Sequence, residues 1–91
     1  MRKVVAGNWT MHHGPAAAAG SLSRFRPRGV SETVELILFP PDLSLRAVST
    51  AARVPVGLGV QNIHWEESGA RTGEISAEMA REAGASFALI G

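Results

Sequence analysis

The amino-acid sequence predicts an α/β fold, with parallel β-strands alternating with helices in the order β-α-β-α-β-α-β. Two observations carry that prediction. Four apolar runs, at residues 4–6, 34–39, 56–60 and 87–90, are short and nearly continuous, with Glu35 the one interruption. Runs of this kind mark strands buried on both faces of a parallel sheet rather than strands that alternate between core and water. Their starts lie 30, 22 and 31 residues apart. That spacing leaves room for one helix between each pair, and right-handed crossovers are expected.

Each element has its own local warrant. The first strand is Val4-Val5-Ala6, and Gly7-Asn8-Trp9 turns the chain out of it. The first helix starts at Pro15, well placed as a first helical residue, and continues through Ala16 to Ala19. Gly20 weakens it, and Arg26-Pro27-Arg28-Gly29 ends it. Before the second helix, Asp42 follows Pro40-Pro41 and suits the positive amino end. Leu43, Ala47, Val48, Ala51 and Ala52 then recur with helical spacing until Pro55 stops the helix. In the third, Ser76 is the cap, Glu78 lies in the first turn, and Met79, Ala80 and Ala83 make the apolar stripe. Gly84 closes it.

Composition narrows the function classes. The chain has 91 residues, 45% hydrophobic and 19% charged, an ordinary globular balance. With no cysteine there is no disulfide and no thiolate metal site, which fits a reducing compartment. A net charge of +1 gives no electrostatic footprint for nucleic acid or an anionic membrane. No apolar run approaches the roughly 20 residues that span a bilayer. Gly7-Asn8 follows so soon after Arg2-Lys3 that there is no signal-peptide apolar region of about 7–15 residues. Cytoplasm is the expected location.

One connection is out of scale. Between the third strand and the third helix, residues 64–74 run for eleven positions, whereas strand-to-helix loops usually take about 2–6. By topology this loop lies at the carboxyl ends of the strands, where parallel α/β proteins bind ligands. Trp65 within it points to contact with a partner or ligand, the alternative being that its ring folds back onto the barrel.

Several residues have plain readings. Asn8 is a polar residue in a strand-to-helix turn, of the kind whose side chain bonds nearby backbone. His12, His13 and His64 could suggest a metal, yet adjacent histidines on an extended segment point to opposite sides, and no carboxylate spacing supports ligation. Arg24, Arg26 and Arg28 read as a solvated helix end rather than a phosphate patch. Gly57-Leu58-Gly59 lies at the start of a strand, not between strand and helix, so it is no dinucleotide fingerprint.

Taken together, Gly7-Asn8-Trp9, Pro40-Pro41, Gly59-Val60-Gln61-Asn62, Gly69-Ala70-Arg71-Thr72-Gly73-Glu74-Ile75 and Ala88-Leu89-Ile90-Gly91 resemble the triose-phosphate isomerase family, in order and at compatible spacing. The resemblance implies a partial (β/α)8 TIM barrel, a single incomplete segment holding three βα units and the fourth strand. A whole barrel takes about 250 residues. It also implies a cofactor-free enzyme of glycolysis and gluconeogenesis that interconverts dihydroxyacetone phosphate and glyceraldehyde 3-phosphate through an enediolate.

The resemblance carries residue roles only where positions match. Asn8 corresponds to a residue lining the substrate site. Thr72 corresponds to the tip of a loop that reaches across a homodimer interface, with Gln61 supporting that contact, which makes Trp65 and residues 64–74 a dimerisation arm. Thr10 stands where the family has a lysine whose ammonium binds substrate and stabilises the enediolate. His12 stands where an asparagine is usual. A hydroxyl carries no charge and reaches less far, and losing one preorganised donor at an oxyanion costs about 2.7–4 kcal/mol, or 10²–10³ in rate.

The family's electrophilic histidine would follow Gly91, and its glutamate base and lid lie further on. Glu66, Glu67 and Glu74 match none of them. The 91 residues alone are therefore expected to be inactive. The alternative is a non-catalytic partial barrel that self-associates or pairs with another chain.

Overall fold

The computed structural model describes residues 3–25 and 33–90. Its elements are β1 (Lys3–Asn8), α1 (Pro15–Arg24), β2 (Val34–Phe39), α2 (Leu45–Ala51, entered through a 3-10 turn at Asp42–Ser44), β3 (Gly57–Val60), α3 (Ala77–Glu82) and β4 (Phe87–Ala88). The four strands form one parallel sheet in the order β1-β2-β3-β4 and curl into part of a barrel wall. The predicted α/β alternation is therefore observed. The expected stop of the first helix at residues 26–29, two of the arginines beside it (Arg26 and Arg28), Arg2 and the final Gly91 lie outside the described residues.

Register sorts the side chains onto two faces, because alternate strand residues point to opposite sides. In β2 and β3, Leu38, Leu58 and Val60 face the helices and pack with Ala18 and Leu22 of α1, Leu45 and Val48 of α2, and Ala80 and Ala85 at α3. Ile37 and Phe39 lie on the other face, Ile37 paired in register with Gly57. Here two glycines leave space for rings. A Cβ on Gly59 would overlap Cε1 of the Phe39 ring, and one on Gly57 would meet Phe87 Cε2 at 3.0 Å. Glycine at these positions is what lets the inner face close over Phe39.

Four local expectations are corrected. β1 was expected to be buried on both faces, yet Val4 and Val5 are 56% and 54% exposed; among the described residues it pairs only with β2. Asp42 does lie in the first turn, as expected, though without a side-chain capping bond; the expectation that fails is that of Leu43. The backbone there tightens into a 3-10 turn, which carries Leu43 out to 85% exposure. In α3 only Ala80 of the anticipated stripe is buried, while Met79 and Ala83 face outward. β4 is two residues rather than four, although Leu89 continues the ladder by donating to Val60 O at 3.0 Å.

The helix ends otherwise follow local chemistry. Pro15 is the first residue of α1, and Ser76 Oγ accepts from Met79 N–H at 3.1 Å as the cap of α3. Gly84, at φ +104°, closes α3 in a conformation that suits glycine.

Candidate functional site at the carboxyl ends of the strands

β1 delivers Asn8, Trp9 and Thr10 to the carboxyl end of the sheet, and the turn there is tightly specified. Asn8 Oδ1 accepts from Thr10 N–H at 2.9 Å, the local side-chain-to-backbone bond that favours Asn in turns. Thr10 takes φ +53°, uncommon for any residue with a Cβ and least comfortable for a β-branched one. Its hydroxyl is turned back on its own chain, donating to Trp9 O at 2.7 Å. The Trp9 ring packs against the helix-side core and meets the His13 ring edge-on, with centroids 4.9 Å apart.

The rest of the fold holds this turn from outside. Gln61, one residue beyond β3, donates from Nε2 to Thr10 O at 2.8 Å and to Phe39 O at 2.9 Å. One amide therefore ties together the carboxyl ends of β1, β2 and β3. Buried Ser44 donates from Oγ to His13 O at 2.6 Å and fixes the far side of the turn. Sequence reasoning missed both ties. They join residues 51 and 31 positions apart, and no local pattern encodes them.

Next to Gln61, Asn62 turns to the other feature of this end of the sheet, donating from Nδ2 to Glu74 Oε2 at 3.3 Å. The loop 64–74 is pinched at its base, where His64 N–H donates to Ile75 O at 2.7 Å and His64 bridges to Ser76. Within the loop, Arg71 donates to Glu66 Oε1 from Nε at 3.1 Å and from Nη2 at 2.8 Å. Glu74 N–H donates to Arg71 O at 3.0 Å. Gly69 and Gly73 supply the positive-φ corners. Trp65 does not fold back onto the barrel: it is 85% exposed and stacks on the His64 ring, centroids 5.4 Å apart. Thr72 is exposed near the tip.

The structure thus gathers Asn8, Thr10 and Gln61 into one hydrogen-bonded group, and sets Trp65 and Thr72 on a separate arm. His12 is exposed in the turn after β1. The rings of His12 and His13 are 6.4 Å apart, and among the described residues no three His, Asp or Glu side chains converge as metal ligands. No described helix is long and apolar enough to cross a membrane. Asp42, exposed at the start of the 3-10 segment, has its carboxyl pKa raised from its ordinary value by partial desolvation.

With the geometry described, comparison with known proteins is informative. The family model for triosephosphate isomerase matches residues 3–91. The chain is 44% identical over 95 residues to the triosephosphate isomerase of Synechocystis sp. (strain ATCC 27184 / PCC 6803 / Kazusa), covering 100% of this chain and 39% of that protein. It is 41% identical over 93 residues to the triosephosphate isomerase of Parasynechococcus marenigrum (strain WH8102), covering 99% and 38%. Identity is again 41% over 93 residues to that of Alkaliphilus metalliredigens (strain QYMF), covering 100% and 38%. The chain spans about two-fifths of the length of the curated relatives it matches.

Proposed function

Because the chain belongs to the triosephosphate isomerase family, we propose that it supplies the first three βα units and the fourth strand of a (β/α)8 isomerase. The reaction is the interconversion of dihydroxyacetone phosphate and glyceraldehyde 3-phosphate through an enediolate, in glycolysis and gluconeogenesis, in the cytoplasm and without a cofactor. The observation that carries this reading is the match along residues 3–91. The turn after β1 gives it a physical basis: with Asn8 Oδ1 engaged by Thr10 N–H, the Nδ2 amide is left to donate to an anionic oxygen of the substrate.

In this reading Thr10 is the weak point. It has no charge, and its hydroxyl proton is already given to Trp9 O. The family's histidine and glutamate positions fall beyond the 91 residues, so these residues by themselves turn over no triose phosphate. Joining residues 1–91 to the remaining units of one of the relatives above, with Thr10 retained or as Thr10→Lys, tests both points. The 91 residues alone should show no turnover above buffer. The Thr10→Lys barrel should exceed the Thr10 barrel by about 10²–10³ in rate, the scale of a lost oxyanion donor. Equal rates in the two barrels would refute the assignment of position 10.

The assembly proposed is a homodimer through the loop 64–74, with Thr72 and Trp65 at the contact and Gln61 supporting it; the stacked, exposed Trp65 favours this. A second reading has its own support. Among the described residues β1 pairs on one side only, and Val4 and Val5 are more than half exposed, which supports pairing with another chain. In that reading it is a non-catalytic partial barrel acting by self-association or by pairing. Turnover by the barrel completed with a relative's remaining units separates the two, since conversion of triose phosphate there excludes the non-catalytic reading, whereas a rigid monomer at every concentration in size-exclusion chromatography counts against association in either.

A further inference from the structure

At the base of the long loop, one imidazole accepts a hydrogen bond from the backbone. Glu66 N–H donates to His64 Nδ1 at 3.0 Å, so that nitrogen must carry a lone pair and the ring proton sits on Nε2. An imidazolium has N–H groups at both nitrogens and cannot accept this bond. We propose that His64 is a pH-sensitive latch on the loop 64–74, closed when the ring is neutral and released when it takes up a proton.

The latch is in series with the rest of the loop. The residue it grips, Glu66, receives Arg71 through its carboxylate, and Arg71 O in turn receives Glu74 N–H. The His64 ring also forms the floor on which Trp65 stacks, with planes 20° apart. The charged groups lining the two clefts beside the ring are Glu66, Glu67, Arg71 and Glu74 from the loop, and Glu78 and Arg81 from α3. Four carboxylates and two guanidinium groups thus surround the ring. Protonation of Nδ1 removes the acceptor of the Glu66 N–H, and Trp65 loses its fixed floor. This inference concerns the loop itself and does not rest on the isomerase reading.

The test uses the full-length protein labelled with ¹⁵N, at pH 8.0 and pH 5.5, a range across which imidazoles in general change charge. Ring ¹H–¹⁵N correlations report which nitrogen of His64 carries hydrogen. Amide exchange of Glu66 reports the latch, normalised to Leu89, whose N–H donates to Val60 O outside the loop. At pH 8.0 Nδ1 should be unprotonated and Glu66 protected. At pH 5.5 the Glu66-to-Leu89 protection ratio should fall by roughly three- to tenfold, the scale of one net hydrogen bond. His64→Asn keeps an acceptor near Nδ1 without a titrating ring, and should hold the ratio constant across the same range. A protonated Nδ1 at pH 8.0, an unchanged ratio in the unmodified protein, or the same fall in His64→Asn would overturn the proposal. The ring correlations need no variant, so the first criterion decides even where His64→Asn folds poorly.

Discussion

The turn after β1 and the loop after β3 meet the same end of the sheet but are held in opposite ways. The turn is short and is fixed by distant residues. Gln61 from beyond β3 and Ser44 from the 3-10 segment both donate to its carbonyls, and Thr10 accepts a positive φ within that frame. The loop is long and is fixed mostly by itself, through His64 with Glu66, Glu66 with Arg71, and Arg71 with Glu74. Its ties outside residues 64–74 come from close by, from Asn62, Ile75 and Ser76. A turn of the first kind has the geometry of the assembled barrel wall, and should fail when the wall fails. A loop of the second kind keeps its shape on a disturbed scaffold.

The sharpest way to break that contrast is to disturb the wall beneath the turn. Gly59→Ala places a methyl into the Phe39 ring and 3.0 Å from the backbone Phe87 O. Phe39 is buried, so the ring has to move, and its own carbonyl is one that Gln61 grips. Overpacking of this kind costs about 3 kcal/mol. Chemical denaturation should show that loss, and amide exchange should show Thr10 deprotected while Glu74 keeps its protection. If Glu74 loses protection in parallel, the loop is not self-supporting.

Gln61→Ala comes next, at about 1–2 kcal/mol for two lost bonds, with Thr10 O left to solvent or unpaired while Phe39 O keeps Trp9 N–H. Here the strands stay and only the tie is removed, so Thr10 N–H should exchange faster with little change at Phe39 N–H. An unaltered Thr10 amide would mean that Asn8 alone holds the turn, and that the long-range tie is incidental.

The same contrast explains what was legible in the sequence. Apolar runs and punctuation by Pro and Gly revealed the strand-helix alternation, because burial on a parallel sheet and helix capping are local, periodic demands. Ser76 was readable as a cap, and Asn8 as a turn residue, for that reason. The two-faced packing was not readable. Leu43 fits helical spacing, but the chain enters as a 3-10 turn and the residue points to water. β1 looks as apolar as β2, and nothing in its own residues says that among the described residues it pairs only with β2. At the site, the resemblance marked Asn8, Thr10, Gln61 and Thr72, but the bond from Gln61 to Thr10 O is a long-range contact that no spacing could disclose.

The smallest effect is expected from within the loop. Arg71→Ala removes two hydrogen bonds to Glu66 Oε1, yet the pair is substantially exposed, at 54% and 30% of the two side chains. Exposed ion pairs contribute little because water already solvates both partners and ordering two long side chains costs entropy. Global stability should therefore change by no more than about 0.5 kcal/mol. The Glu74 amide should keep its protection, since it donates to the backbone carbonyl of residue 71, which alanine retains. The Thr10 amide should not respond at all, because none of its partners belongs to the loop. A loss comparable to that of Gln61→Ala, or a response at Thr10, would mean that the loop and the turn are one cooperative unit joined through Gln61 and Asn62. Their different modes of support would then have no mechanical consequence.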